Sequence, residues 1–346
     1  MKRFEQHETL AYSLILNAMI PINLIRQAHR EISPFIHRTP LIRSHALSTR
    51  WGANVYLKLE NFQKTGSFKP RGAFFKLLNL SDEERSRGVV GVSGGNHAQG
   101  LAFAARTLGI SATICMPTTT PKNYLDATAG YGASIRLSDT IHAAFQDAAH
   151  LQSQGQILIH PFDDERLAAG QGTVGLEILE DLPNLSRCYV SIGGGGLIAG
   201  IASALRGNED SHTQAPNRVS PRVIGVETVG ADAMAQAVAA KQIVQLPAIT
   251  SIARTLGAPA VSQFTLDAVR ELVEEVVVVS DQESVHELFF LLERCKVLAE
   301  PAAACCLAAA NQQCSSFGKE ENIVIVICGG NTSAADLAEW FTRFGR

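Results

Sequence analysis

Cys188-Tyr189-Val190-Ser191-Ile192-Gly193-Gly194-Gly195-Gly196-Leu197-Ile198-Ala199 changes character twice within twelve residues. The first five residues read as a strand covered on both faces. Four successive glycines follow, and glycine loses more backbone entropy on ordering than any other residue. An ordinary turn needs one or two of them. A strand that ends in such a loop and opens directly into a helix, Gly196–Leu205, is the repeating unit of a parallel α/β sheet. Backbone N–H groups in that loop, at a helix N-terminus, form a cup for a phosphate.

The same alternation extends in both directions. Strands are predicted at Asn54–Leu59, Gly88–Val92, Ala112–Met116, Ser134–Leu137, Ile157–His160, Val223–Glu227, Val276–Ser280 and Ile323–Cys328. Helices are predicted at Phe74–Leu80, His97–Leu108, Lys122–Tyr131, Thr140–Gln154, Gln171–Leu182, Ala231–Ala240, Gln282–Cys295, Pro301–Ala310 and Thr332–Phe344. Continuous Val/Ile runs such as Val276–Val279 are the pattern of strands buried on both faces. The fold class is α/β, with doubly wound parallel sheets. Two irregular stretches interrupt it: a polar loop at Gly207–Pro221 and a longer connection at Gln245–Val261. In such sheets ligands bind beyond the carboxyl ends of the strands, and every glycine-rich segment here falls in that position.

Composition narrows the partners. The 346 residues are 46% hydrophobic and 18% charged, which is enough apolar material for a large core. A formal charge of -3 without a basic run argues against nucleic acid or an anionic membrane. The seven cysteines include no C-x-x-C pair, and Cys305 and Cys306 are adjacent, so a reducing cytoplasm fits best. The ten histidines show no zinc-ligand spacing. No stretch is long enough to span a bilayer. Lys2 and Arg3 precede an apolar stretch, but Glu5, Glu8 and the missing cleavage site argue against a signal peptide. The chain reads like a fresh start at Met19 followed by an amphipathic helix, so residues 1–18 are expected to be a non-core extension.

Three further segments carry chemistry. Lys64-Thr65-Gly66-Ser67-Phe68-Lys69-Pro70-Arg71-Gly72-Ala73 sets one lysine between an aromatic and a proline. Proline suits a first helical turn, whereas the helix dipole disfavours a cation there. A lysine so placed tends toward the neutral, nucleophilic amine, and a nucleophilic lysine forms Schiff bases with carbonyl cofactors. A surface lysine at a helix start is the plain alternative. Ser93-Gly94-Gly95-Asn96-His97-Ala98-Gln99-Gly100 follows a strand and opens a helix, which suits a small carboxylate. It is equally a βα turn capped by Asn96. Cys328-Gly329-Gly330-Asn331 ends the last strand, with Cys328 either packed in the core or facing a ligand. The four-glycine loop also fits the dinucleotide pattern G-x-G-x-x-A through Gly194, Gly196 and Ala199, with Glu227 as a ribose-binding acid. That nicotinamide reading leaves the Lys69 segment unused.

Together these segments resemble the fold-type II pyridoxal-phosphate enzymes, in particular the serine/threonine dehydratase and serine racemase branch. The resemblance covers roughly Pro21 to Phe344 and rests on four ordered matches, chief among them Ser67-Phe68-Lys69-Pro70-Arg71-Gly72-Ala73. It implies two parallel-sheet domains of the tryptophan-synthase-β type. The large cofactor-binding domain would be 19–83 with 163–346, and a small mobile domain, 84–162, would carry the asparagine loop and close on substrate. It implies pyridoxal 5'-phosphate, with Lys69 forming the Schiff base and shuttling the Cα proton. Phe68 would lie against the ring and Asn96 would bond the 3-hydroxyl. Gly193, Gly194, Gly195, Gly196 and Leu197 would cradle the phosphate, and Cys328 would face the pyridine nitrogen. Ser93, Gly94, Asn96 and His97 belong to the loop that would hold the substrate carboxylate. The implied reaction is α,β-elimination from L-threonine, L-serine or a related 3-hydroxy amino acid, giving a 2-oxo acid and ammonia.

Two departures from the family pattern stand out. Racemases of this branch carry an acid/base serine where this chain has Gly94, which disfavours racemisation. The family's cation site would use Glu227 and the Ala231 carbonyl, but its aspartate position is Ala233, with Asp232 one residue away. The cation set is therefore incomplete, and no metal is expected. The chain ends soon after Asn331, which fits a catabolic enzyme without a regulatory extension. A homo-oligomer, in particular a homodimer, is implied by the resemblance alone.

Overall fold

The computed structural model describes residues 19–207 and 220–345. The extension expected at 1–18 lies outside the described residues, as does nearly all of the polar loop expected at Gly207–Pro221. The strands are β1 (Leu41–Arg43), β2 (Asn54–Leu59), β3 (Val89–Val92), β4 (Ala112–Pro117), β5 (Ser134–Ser138), β6 (Ile157–Leu158), β7 (Arg187–Ser191), β8 (Arg222–Thr228), β9 (Glu275–Val279) and β10 (Asn322–Ile327). They form a six-stranded sheet in the order β1-β2-β10-β7-β8-β9 and a four-stranded sheet in the order β5-β4-β3-β6.

All pairings are parallel except one. β1 runs antiparallel to β2, with Leu41 opposite Lys58 and Arg43 opposite Tyr56. The sequence reading missed β1 because Leu-Ile-Arg is too short to show a period. It also missed the helices His45–Trp51, Asp82–Arg87 and Gln263–Leu272. Each of these carries its own start signal: the Ser44, Ser81 and Ser262 side chains accept from the third residue on. Val276–Val279 is not buried on both faces as its apolar run suggested. β9 is the edge strand of the larger sheet, and Val276 to Val278 are half-buried.

Helix Glu165–Asp181 positions the site. The sequence places this helix at Gln171–Leu182, so it begins six residues earlier than expected and takes in Gly170 as well as Gly172. Both glycines are contact points. A Cβ on Gly170 would meet the Gly72 Cα at 2.6 Å, and one on Gly172 would meet the Gly200 carbonyl at 2.8 Å. The missing side chains let helix Lys69–Leu78 and helix Gly196–Gly207 press onto the same central helix. The phosphate-cup helix and the lysine helix are thereby held in one rigid stack.

Two large apolar cores fill the molecule. One lies around the six-stranded sheet and is built from β2, β7, β8 and β10 with the buried helix Pro301–Gln313. The second joins Phe74 and Phe75 to Leu101, Ala104 and Ile114. It therefore binds the lysine helix to the helix Asn96–Thr107 that follows β3. No helix among the described residues is long and apolar enough to cross a membrane.

Candidate active site

Four loops meet at the carboxyl ends of β2, β3, β7 and β10, where the alternation of strand and helix places them. Lys69 is the first residue of helix Lys69–Leu78, with Pro70 in the first turn. Its Nζ donates to the Pro161 carbonyl at 2.9 Å and lies 5.1 Å from the centre of the Phe68 ring. Burial lowers its pKa from 10.5 to about 8, with Cys328 acting weakly in the opposite direction. The amine is still mostly protonated at pH 7, but its neutral fraction is far larger than that of a solvated lysine, and burial rather than the helix start is the main cause.

Backbone bonds stitch the lysine turn to the end of β10. Phe68 N donates to the Cys328 carbonyl at 3.1 Å, and Gly330 N donates to the Gly66 carbonyl at 2.9 Å. Gly66 has φ +71, and a Cβ there would meet Asn331 Oδ1 at 2.5 Å. Asn331 Nδ2 donates both to the Thr65 carbonyl and to Asn96 Oδ1, each at 2.8 Å. Asn96 Nδ2 in turn donates to Glu300 Oε1 at 2.7 Å. Burial pushes the Glu300 carboxyl up to about 7, opposed by the hydrogen bond from Asn96, while Oε2 is buried without a partner.

The asparagine loop follows β3. Ser93 Oγ accepts from Gly95 N at 3.1 Å. A Cβ on Gly94 would lie 2.8 Å from Thr120 Oγ1. The His97 ring is tied to the side of the four-stranded sheet, with Nε2 donating to the Ile159 carbonyl at 3.2 Å. Burial, with Lys69 nearby, drives its pKa down to about 3, so the ring is neutral. Only its backbone is left to act in a carboxylate site.

Gly193 to Gly196 end β7 and start helix Gly196–Gly207. Gly195 has φ +96, where a side chain is strained, and its Cβ would meet Thr265 at 2.6 Å. A Cβ on Gly194 would run into the Phe162 ring. Cys328 is buried, accepts from Ser191 Oγ at 3.3 Å, and points its thiol at the Ala302 carbonyl at 3.7 Å. Burial and the neighbouring Glu300 hold its pKa well above 9, so the sulfur stays protonated.

Glu227, the acid of both the ribose and the cation readings, is fully buried near the end of β8. Its two oxygens accept from Met234 N at 2.9 Å and Ala235 N at 2.7 Å, capping helix Ala233–Ala240. Among the described residues no group of three or more His, Cys, Asp or Glu is placed to hold a metal.

The sequence reading passed over Glu300, Pro161 and Phe162, and gave Asn331 no role. Glu300 carried a signal, being the one acid in the apolar run from Val297 to Ala310, immediately before Pro301. Arg71 was quoted only as part of a motif. It is fully buried, with Nε and Nη2 on Glu60 at 2.8 and 2.9 Å and Nη1 and Nη2 on Glu177 at 2.7 and 2.9 Å.

A lysine with a lowered pKa, a glycine loop at a helix start and a buried neutral thiol are together what a carbonyl cofactor bearing a phosphate would require. Residues 32–329 match the family of pyridoxal-phosphate dependent enzymes, and the chain belongs to it. It is 40% identical over 286 residues to the L-threonine ammonia-lyase of Thermotoga maritima, covering 82% of this chain and 69% of that one. It is 41% identical over 290 residues to a catabolic L-threonine dehydratase of Staphylococcus aureus, covering 82% and 80%. The maize serine racemase structure superimposes with a TM-score of 0.85 at 36% identity, covering 94% of this chain and 98% of that one. Family membership removes the nicotinamide alternative. The residues also fit the cofactor: a Cβ on Gly194 would run into the Phe162 ring and one on Gly195 would meet Thr265 at 2.6 Å, and the hydroxyls of Ser67, in the lysine turn, and Thr120, beside Gly94, are buried without partners.

Proposed function

We propose that the protein is a pyridoxal-phosphate dependent ammonia-lyase that converts L-threonine, L-serine or a related 3-hydroxy amino acid to a 2-oxo acid and ammonia. The observation that carries this reading is Lys69, half-buried, with its pKa lowered to about 8 and joined through Phe68 to Cys328 at the end of β10. Similarity to two threonine-deaminating relatives at about 40% identity supports the substrate class.

When bound, pyridoxal phosphate supplies the electron sink that acidifies the substrate α-carbon. Lys69 is the residue that holds the cofactor's carbonyl carbon and then serves as the base for the α-proton. Gly193 to Gly196 and Leu197 hold the phosphate through backbone N–H groups at a helix start. Phe68 flanks the ring, and Asn96 donates to the 3-oxygen. Cys328 meets the ring nitrogen as a neutral thiol, a weak partner that does not fix a positive charge there. Ser93 Oγ and the backbone of Gly94 to His97 take the substrate carboxylate. Lys69 would take the α-proton, and the β-hydroxyl would leave as water with a proton supplied by the cofactor phosphate, after which the enamine product hydrolyses to the 2-oxo acid and ammonia.

The racemase reading is disfavoured by one contact. A serine at position 94 would have its Cβ 2.8 Å from Thr120 Oγ1, so it would first have to displace that buried hydroxyl. Residues 84–162 form the small mobile domain in this proposal. The four-stranded sheet lies wholly within them, and the rest of the chain from 19 onward forms the large one. The protein works as a cytoplasmic homodimer in this reading. Seven free cysteines, five of them buried, are consistent with a reducing compartment.

The test is release of 2-oxo acid from L-serine, D-serine, L-threonine, hydroxyaspartate and phenylserine, with Lys69→Ala as control. Oxo acid from an L-3-hydroxy amino acid, lost in the control, is the expected result. A cofactor-loaded protein that releases none, but interconverts L- and D-serine, would replace this reading with the racemase.

A further inference from the structure

A single asparagine outside the expected cofactor contacts, Asn331, sets what Asn96 can offer. An asparagine amide has one acceptor oxygen and two donor hydrogens on nitrogen, and rotating it by half a turn exchanges them. Which way it faces decides whether Asn96 presents a hydrogen or a lone pair to a ligand oxygen. Glu300 alone does not settle this. Burial holds its carboxyl near neutrality, and a protonated carboxyl donates as well as accepts.

Asn331 does settle it. Its Nδ2 lies 2.8 Å from the Thr65 carbonyl oxygen, a group that only accepts. That contact fixes the Asn331 amide with nitrogen toward the lysine turn. The second hydrogen of the same nitrogen points at Asn96, 2.8 Å away, so the atom of Asn96 that faces it must be Oδ1. Asn96 Nδ2 is left on the opposite side, with one hydrogen on Glu300 Oε1. Its other hydrogen has no partner among the described residues. The chain of contacts therefore runs in one direction, from Thr65 through Asn331 to Asn96, whatever the charge on Glu300.

Local backbone geometry builds this device. Thr65 has φ 65, an uncommon conformation for a branched residue, which turns its carbonyl out of the lysine turn. Gly66 next to it leaves the space that Asn331 fills. The Tyr124 hydroxyl donates to the Asn331 carbonyl at 2.6 Å and steadies the loop from the other side.

We infer that Asn331 is a positioning residue, which through the Thr65 carbonyl locks the Asn96 amide so that one N–H is free for the 3-oxygen of the cofactor. The inference rests on the proposed pyridoxal-phosphate site and deepens it.

The experiment is a double-mutant cycle on the cofactor-loaded protein, read by absorbance before any substrate is added. Bound pyridoxal phosphate shows two bands, and their ratio follows the hydrogen bond at its 3-oxygen. Asn331→Asp replaces the donor by an acceptor facing two oxygens, so Asn96 must rotate. The band ratio is expected to change in the same direction as in Asn96→Ala, and the cofactor Kd to rise about tenfold, the loss of one hydrogen bond to an oxyanion. In the Asn96→Ala background, Asn331→Asp is expected to add nothing to either readout. Asn331→Ala, which adds no charge, is expected to follow the same pattern with a smaller change.

An unchanged band ratio in both Asn331 variants overturns the inference. So does a double variant whose losses multiply, since that marks an independent structural role. So does failure of both Asn331 variants to fold when Asn96→Ala folds, because a residue acting through Asn96 cannot cost more than Asn96 itself. If wild-type protein shows the cofactor bands yet releases no oxo acid from any substrate, the functional reading fails while the cycle still decides this one.

Discussion

Lys69 Nζ and the Pro161 carbonyl oxygen are 2.9 Å apart. Lys69 follows β2 of the six-stranded sheet, whereas Pro161 follows β6 of the four-stranded one. The residue proposed as both cofactor anchor and base is thus tied, without its cofactor, to the segment that links the two sheets. Phe162, next in sequence, packs on Gly194 of the phosphate loop. One dipeptide therefore touches the amine and the phosphate cradle, the two ends of the proposed cofactor site.

The lowered pKa of Lys69 has a direct consequence for cofactor capture. Attack on the cofactor carbonyl needs the neutral amine, and the folded protein reaches half-neutral at about 8 rather than 10.5. The rate at which cofactor-free protein gains the bound-cofactor absorbance should rise through pH 8 and level off above about pH 9. The sign for stability follows as well. Between about 8 and 10.5 the unfolded chain binds more protons at this lysine than the folded one, so this residue makes stability rise with pH there. Stopped-flow absorbance from pH 6 to pH 10 checks the first claim. A midpoint near 10.5 would mean that Lys69 is solvated in the cofactor-free protein.

Much of this site was legible in the sequence because its parts are local. A glycine loop after an apolar strand and a lysine before a proline announce themselves within ten residues. Asn54–Leu59 was read as a strand to the residue. What was not legible is what distant residues do to one another. Arg71, Glu60 and Glu177 are far apart in sequence, and only folding makes them one buried cluster. Glu227 looked like a ligand because acids after strands often are, yet the helix start beside it takes both its oxygens. The helix start at Glu165 was missed, and nothing in its periodicity shows that Gly170 and Gly172 are where neighbouring helices press in.

Gly194→Ala tests the phosphate cradle. The added methyl would overlap the Phe162 ring, so either the loop or the ring must move. Overpacking of this kind costs about 1–3 kcal/mol, which corresponds to roughly a tenfold to hundredfold rise in cofactor Kd. The double variant Gly194→Ala/Phe162→Ala removes the ring and should recover most of that loss. Fluorescence titration of cofactor-free protein measures both. No recovery in the double variant would show that the Gly194 backbone, rather than the space beside it, is what the phosphate requires.

Gly94→Ser tests the assignment as a lyase rather than a racemase. The new Cβ would be 2.8 Å from Thr120 Oγ1, on a side chain that is itself buried. Displacing it should lower kcat/KM for 2-oxo acid release by about tenfold, the equivalent of about 1.4 kcal/mol. No D-serine should accumulate from L-serine, because the hydroxyl is not held in the acid/base position. Chiral chromatography of the reaction mixture decides the matter. D-serine formed at a rate comparable to oxo acid would show that one residue separates the two activities here.

Arg71→Met tests how the lysine helix is anchored. Arg71 lies two residues after Lys69, with no exposed surface, and bonds both Glu60 and Glu177. Lys58 Nζ also pairs with Glu177, at 2.5 Å, and donates to the Thr39 carbonyl at 2.8 Å. Two carboxylates and two cations are thus buried in balance. Removing Arg71 leaves two carboxylates sharing one ammonium group, and breaking a buried pair in this way costs about 3–5 kcal/mol. The loss should appear as a lower midpoint in urea. Replacing all four charges together, by Arg71→Met, Glu60→Leu, Glu177→Leu and Lys58→Met, should restore much of the stability, since apolar replacements of whole buried clusters are often neutral. The fourfold variant then isolates position from stability. If it folds well but captures cofactor slowly, the charges serve to aim Lys69; if it captures cofactor at the wild-type rate, the helix packing through Gly72 and Gly170 is sufficient to do so.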